Sequence, residues 1–505
     1  MFEQRDFRVV IIGAGFSGLG MAIRLKQQGI DDFVVLERGG EVGGTWRDNT
    51  YPGAACDVPS RLYSFSFARN PEWSRSFSPQ QEILDYLRGC ADSFGVRPHV
   101  LFDHAVSESW WDDASGVWHV ETDRGTFTGQ VLVSAVGGLS EPLIPDIPGL
   151  GSFTGRIFHS ATWDHEYDLR GKRVAVVGTG ASAIQFVPQI QPDVSRLHLF
   201  QRTPPWVMRQ LDRRFARAEK RLFRGIPILD KLARAAIYWT HESYVVGFSK
   251  PKLLKAASRL ARLHLRRQVR DPKLRAKLTP DYTMGCKRVL LSNDYYPSLT
   301  KPNVEVIAAG LREITPTTVI GTDGSERAVD AIIFGTGFHV TDMPGAQHLR
   351  GRDGKVVADV WRSNGAAAYL GTTINGFPNL FTLVGPNTGL GHNSLVFMIE
   401  SQISYVLDAL RHMAADDLAA VEVRDDAVSA FNDDVQRRLE GAVWTSGGCK
   451  SWYLDEHGRN VTMWPGSTWR FRRATRRFDP AAYHLYPAWT GSTLEPAATV
   501  AGSVD

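Results

Sequence analysis

Hydrophobic positions along the chain follow two rhythms: short unbroken apolar runs, and longer stretches in which apolar residues recur every three or four positions. The first run, Val9 to Ile12, leads into Gly13-Ala-Gly15-Phe-Ser-Gly18, after which Leu19, Met21, Ala22 and Leu25 recur at helical spacing as far as Gly29. This predicts a buried strand, a tight glycine turn and a helix. Phe33 to Leu36 gives a second strand that ends in the carboxylate of Glu37.

The same design returns downstream. Val174 to Val177 runs into Gly178-Thr-Gly180-Ala-Ser182-Ala183, and Leu197 to Phe200 supplies the returning strand. Pro188 falls early in the intervening helix, where a missing N–H and a bulky ring should kink or shorten it. Two further apolar runs end in glycine, Val131 to Val136 before Gly137 and Ala331 to Phe334 before Gly335. Each closes one of the two units.

The stretch between them, about 209 to 295, is helical in rhythm. A further strand-to-loop signal at 379–387 precedes a helix from about Ser394 to Met413. The expected fold is α/β, with two Rossmann-like dinucleotide-binding domains and a helical insertion, each domain split in sequence. One comprises 1–145 and 377–505, the other 152–208 and 296–376, and the insertion 209–295.

Composition narrows the class. With 505 residues at about 150 per domain, three or so cores can form without crosslinks. Hydrophobic residues at 43% and charged residues at 22% exclude a disordered or collagen-like chain. Four cysteines without a CxxC pair argue against a disulfide framework, a zinc site or a thioredoxin-type centre, and Cys56 and Cys286 are expected to be packed thiols. No apolar run is long enough to span a bilayer, and a soluble cytoplasmic protein without a signal peptide is expected.

The net charge of +4 conceals a polarity: residues 209–277 hold 20 Lys/Arg and 5 Asp/Glu, a block of +15 against −11 elsewhere. Apolar residues alternate with these cations in helical rhythm, so one face should pack and the other be charged. The block is expected to cap the cleft between the domains; membrane-surface association is the less favoured use, and no nucleic-acid-binding fold stands behind it.

Spacing assigns the nucleotides. Glu37 lies 24 residues after Gly13, and Arg202 lies 24 residues after Gly178. A carboxylate at that position suits a free ribose hydroxyl, as in FAD, whereas a cation suits the 2′-phosphate of NADPH. Gly13, Gly15 and Gly18 permit the turn, the approach to a pyrophosphate and the helix–strand packing. Gly178 and Gly180 repeat this, with Ala183 in third place.

Between the units lies Phe153-Thr-Gly155-Arg-Ile-Phe-His159-Ser-Ala-Thr-Trp163-Asp164. It resembles the fingerprint of the Baeyer–Villiger monooxygenases. Flavin-containing monooxygenases that oxidise sulfur or nitrogen usually end this motif differently, and they remain the alternative. Other matches in order are Gly43-Gly44-Thr45-Trp46 and Tyr51-Pro-Gly-Ala-Ala-Cys-Asp57, like flavin-contacting loops, and Gln201-Arg202-Thr203, like the NADPH phosphate site. Gly285-Cys-Lys287-Arg288 resembles the active-site segment, Gly385-Pro-Asn387 the second flavin loop, and Ser451-Trp452 the start of the mobile control loop.

The resemblance implies a flavoprotein that uses FAD, NADPH and O2 to convert a ketone to an ester or lactone through a C4a-peroxyflavin. It implies that Arg288 is the fixed cation of the site and Asp57 the carboxylate that orients it. Arg288 suits the task because a guanidinium keeps its proton and donates from a rigid plane. Lys287 and Arg202, with Thr203, would hold the 2′-phosphate, and Ser182 would lie in that site. Trp452 would contact the nucleotide, and His159 with Asp164 would couple the linker to both domains. The run after Trp452 departs from the family's usual glycine-alanine-asparagine pattern. Apart from the ketone and O2 no partner is implied, and a monomer or weak homo-oligomer is expected.

Overall fold

The computed structural model describes residues 4–342 and 344–487. Its two largest sheets are built on the two predicted strand–turn–helix units. In the first, Gln4–Ile12 lies between Phe33–Leu36 and Gly125–Ser134, parallel to both, with Val9 opposite Phe33 and Val131. This sheet has eight strands. Val106–Asp112 and Val117–Thr122 extend it antiparallel beyond Gly125–Ser134, and Leu380–Thr382 also pairs with Gly125–Ser134.

The second sheet is wholly parallel, in the order Val304–Ile307, Arg196–Phe200, Arg173–Val177, Ala331–Phe334, Arg156–His159. The unbroken apolar runs are explained by burial on both faces, as parallel strands require: Val174, Val176, Leu197, Leu199, Ile332 and Phe334 are all within 1% of complete burial. The helix Ala181–Ile190 passes through Pro188 and stops two residues later, so the proline shortens it.

One expected boundary moves. The short strand Leu349–Arg350 pairs with Ser109 and Trp110 of the first sheet. Ala346, Leu349, Val357 and Phe377 pack in a core with Trp111 and Trp118 of that sheet. The chain has therefore rejoined the first sheet well before residue 377, and the assignment of 349–376 to the second domain is corrected.

Between Arg196–Phe200 and Val304–Ile307 of the second sheet the chain forms the helices Arg217–Gly225, Pro227–Ser243, Val245–Ser249, Leu254–Gln268 and Pro272–Lys277. The strand Val207–Met208 before them pairs in parallel with Leu290–Leu291 after them, which closes the insertion at its base. The last described strand, Tyr483–Pro487, is antiparallel to Leu418–Val423. Among the described residues, no helix is long and apolar enough to cross a membrane.

Candidate functional site

The first glycine turn is a cradle that side chains would fill. Gly13 has φ +100°, and a Cβ there would lie 2.8 Å from the Ala135 carbonyl oxygen; at Gly18 it would lie 1.8 Å from the Gly13 oxygen. Gly15 and Gly44 pack backbone to backbone: a Cβ on Gly44, whose φ is +51°, would lie 3.1 Å from the Gly15 Cα. Thr45 and Trp46 open the short helix after Gly44, and the Trp46 indole donates to the Tyr63 hydroxyl at 3.1 Å.

Glu37 is at the predicted strand end, buried, and already engaged. Its carboxylate accepts from Ala14 N and Gly39 N, each at 2.8 Å, and from Arg47 Nη1 at 2.6 Å. It holds the turn in shape besides any bond to a ribose. In the loop after Leu380–Thr382, the strand that joins the first sheet, the Asn387 amide donates to the Asn460 and Met463 carbonyls, while its Oδ1 is buried without a partner. A buried acceptor without a partner fits a bound group that carries donors.

The second turn repeats the geometry. Gly178 has φ +106°, and a Cβ there would come within 2.4 Å of the Gly335 oxygen. Gly180 caps the Ala181–Ile190 helix, Ser182 lies in its first turn, and the buried Ala183 takes the place of the third glycine. Beyond the returning strand, Lys287 Nζ donates to Thr203 Oγ1 at 2.7 Å. Burial and then the nearby Arg202 pull the Lys287 ammonium below its ordinary range. Among the described residues neither cation is in an ion pair. Two like charges close together, which the Asp281 carboxylate offsets only in part at Lys287, fit an added phosphate.

The two halves meet at Arg288 and Asp57. Arg288 Nε donates to Asp57 Oδ2 at 2.6 Å and Nη2 to Oδ1 at 2.7 Å, across 231 residues of sequence. Burial pushes the Asp57 carboxyl up, but Arg288 outweighs it and holds the group below the usual range. The Asp57 charge in turn raises Arg288 far above an ordinary arginine. The surrounding acids stay neutral: burial pushes Tyr51 and Tyr453 each up to about 12, and Cys56 and Tyr63 higher still.

Gln185, which sequence reasoning missed, ties the domains together at this point. Its Oε1 accepts from the Tyr51 hydroxyl at 2.8 Å and its Nε2 donates to the Ala55 carbonyl at 3.0 Å. Its place one turn after Ser182, on the helix that opens the second unit, was the available signal. Tyr453, buried beside Arg288, was also missed.

The fingerprint residues form a brace rather than one cluster. A Cβ on Gly155 would lie 2.3 Å from the Asp330 carbonyl oxygen, with the Phe153 ring also in contact. His159 ends the edge strand, buried, with Nδ1 accepting from Ala161 N at 3.1 Å and its ring edge-on to Phe338. Burial lowers its pKa to about 4. Trp163 packs between Phe158 and Phe186, and Asp164 accepts from Arg156 Nε at 2.5 Å. His159 and Asp164 thus have separate partners. Phe338 follows Gly337, whose carbonyl accepts from Leu143 N in the linker, so His159 touches the interdomain connection.

Trp452 is half-exposed and packs edge-on to Tyr453. Cys286 is not a packed thiol: it is joined to Cys449 in a disulfide. The pairing was invisible because 163 residues separate the partners and no spacing signature marks them. Cys56 and Cys90 are free and buried.

Two dinucleotide folds in one chain, bridged by a fixed arginine–carboxylate pair, define the flavoprotein monooxygenase class. Residues 10–222 match the family model described as pyridine nucleotide-disulphide oxidoreductase. The chain is 54% identical to a Baeyer–Villiger monooxygenase of Streptomyces coelicolor, over 97% of this chain and 96% of that one. It is 52% identical to another from Pseudomonas aeruginosa, over 95% and 92%. Among solved structures it resembles closed cyclohexanone monooxygenase, with a TM-score of 0.85 and 26% identity over 96% of this chain and all of the other. It also resembles a steroid monooxygenase bound to NADP, with a TM-score of 0.81 and 30% identity over 93% and 97%. The chain belongs to the Baeyer–Villiger monooxygenase family.

Proposed function

We propose that the protein oxidises a ketone to an ester or lactone with NADPH and O2, and that Arg288 and Asp57 are the groups at the reacting centre. FAD, held by the first unit, supplies hydride acceptance from NADPH and the activation of O2. The observation that carries the reading is the two-bonded Arg288–Asp57 pair, set where the loops of both nucleotide units converge.

Arg288 presents a permanent positive charge where negative charge develops on the carbonyl oxygen, and Nη1 takes no part in either bond to Asp57. Asp57 fixes the plane of the guanidinium, so the charge is oriented before substrate arrives. The phenols of Tyr51, Tyr63 and Tyr453 are held protonated by burial, which keeps further negative charge away from the centre. Gly13, Gly15, Gly18, Glu37, Gly44, Thr45, Trp46 and Asn387 form the flavin cradle. Gly178, Gly180, Ser182, Arg202, Thr203 and Lys287 form the NADPH site, and Trp452 contacts the nucleotide. His159 steadies the linker through Phe338, while Phe153, Gly155, Trp163 and Asp164 hold the rest of the fingerprint segment in place. The protein works as a monomer or weak homo-oligomer in the cytoplasm.

The test is incubation of FAD-loaded protein with NADPH and a panel of cyclic, aryl and long-chain ketones, with products identified by mass spectrometry. Ester formation coupled to NADPH consumption supports the reading. Rapid oxidation of a thioether with no ester from any ketone overturns it.

A further inference from the structure

The Pro227–Ser243 helix is turned the wrong way round for an ordinary surface helix. Its inward side carries charge. Asp230 is buried and pairs with Arg61 and, at 3.0 Å, with Arg69 of the first domain. Arg234 donates to the Ser64 hydroxyl at 3.0 Å and carbonyl at 2.9 Å. Glu242 accepts from the Asn393 amide at 2.7 Å and from the Thr468 hydroxyl at 2.8 Å.

Its outward side is apolar. Ile228, Leu232, Ala235 and Trp239 follow one another at four, three and four residues, a single helical stripe, and all are exposed. Ile228 is 55%, Leu232 58% and Trp239 59% exposed. Of 16 exposed large hydrophobic side chains among the described residues, 11 fall between Leu211 and Leu263. Leaving this much apolar surface in water works against folding, so its concentration on one insertion marks a surface that something covers.

The charge on the same insertion points to the partner. Arg221, Lys231, Lys252, Lys255, Arg259 and Arg266 are exposed on the same insertion, and among the described residues none of them is in an ion pair. A second copy of the chain docked about a two-fold axis would bring this excess of positive charge against itself. An anionic lipid surface offers both complements at once: phosphates for the cations, and the headgroup–acyl boundary for Ile228, Leu232 and Trp239.

We infer that the apolar and cationic outer face of the 217–268 helices docks on an anionic phospholipid surface, the chain lying on the bilayer without crossing it. The rest of the site can then face away from the lipid, with the inward polar side of the helix gripping the first domain.

The test uses the full-length, FAD-loaded protein. It is sedimented with vesicles of phosphatidylcholine alone, or of equal parts phosphatidylcholine and phosphatidylglycerol, at low and at high salt. Recovery with the mixed vesicles is expected to exceed that with phosphatidylcholine by about tenfold and to fall in high salt. The double variant Leu232→Glu/Trp239→Glu, with flavin content unchanged, is expected to lose about tenfold in vesicle affinity. Lys252→Glu/Lys255→Glu/Arg259→Glu tests the cationic half separately and is expected to weaken binding similarly. Equal recovery with both vesicle types, none with either, or undiminished binding by both variants overturns the inference. Self-association abolished by the Leu232 and Trp239 substitutions, without vesicle binding, overturns it in favour of a second copy.

Discussion

Arg288 and Asp57 face each other through two parallel bonds of 2.7 and 2.6 Å, although 231 residues separate them. The geometry needs a fork: a lysine could match one carboxylate oxygen but not both in one plane. Arg288→Ala and Arg288→Lys are therefore both expected to keep bound FAD and lose ester formation, each by about 100-fold or more. Asp57→Ala leaves the guanidinium charged but unoriented, and a smaller loss of about 10- to 100-fold is expected. Product assays alongside flavin absorbance check both; an Arg288→Lys variant of near-normal rate would contradict the role of the planar pair.

The Lys287 ammonium is held below its ordinary range by burial and by Arg202, and a dianionic phosphate between them relieves both. Lys287→Ala and Arg202→Ala should each raise KM for NADPH about tenfold or more while leaving KM for NADH nearly unchanged. Steady-state kinetics with the two nucleotides decides it. Equal effects on both would move the phosphate elsewhere.

What the sequence made legible was local. Gly13, Gly15 and Gly18 could be read because strand, turn and helix are consecutive in the chain, and Glu37 because its distance from them is short and regular. Arg288, Asp57 and Lys287 have no periodic mark and were found through family resemblance alone. Gln185, Tyr453 and Cys449 take their meaning from partners 130 or more residues away, and of the three only Gln185, one turn after Ser182, carries any local mark of it. The early return to the first sheet was missed for a related reason: Leu349–Arg350 is two residues long and has no period to detect. The outward stripe of the insertion was read as a packing face, since periodicity reveals that a helix has two sides but not which side is turned inward.

His159 supplies a pH test. Burial takes its pKa down to about 4, from 6.5 in an unfolded chain, so between these values the unfolded state binds the extra proton. Stability is therefore fully present above pH 6.5 and is lost as pH falls toward 4, by at most about 3 kcal/mol from this group. His159→Gln removes the proton site. Its urea midpoint should change less between pH 7 and pH 5 than that of the unaltered protein, and an identical pH dependence would show that His159 does not titrate in this window.

The Cys286–Cys449 bond ties the segment bearing Lys287 and Arg288 to the loop bearing Trp452 and Tyr453. With Cys56 and Cys90 free, the denatured, unreduced protein should titrate two thiols, rising to four after reduction. Four thiols without reductant would refute the pairing. A crosslink across 163 residues limits the freedom of the unfolded chain, and its loss should cost about 2–4 kcal/mol. Cys449→Ser should therefore lower the urea midpoint. It also frees the Trp452 loop from the arginine segment, so proteolysis near residues 449–456 should quicken, while flavin content holds because Gly13, Gly15, Gly18 and Glu37 lie on other elements and Asn387 keeps its own bonds to residues 460 and 463. The same increase in the unaltered protein after mild reduction would identify the bond, rather than the serine, as the cause.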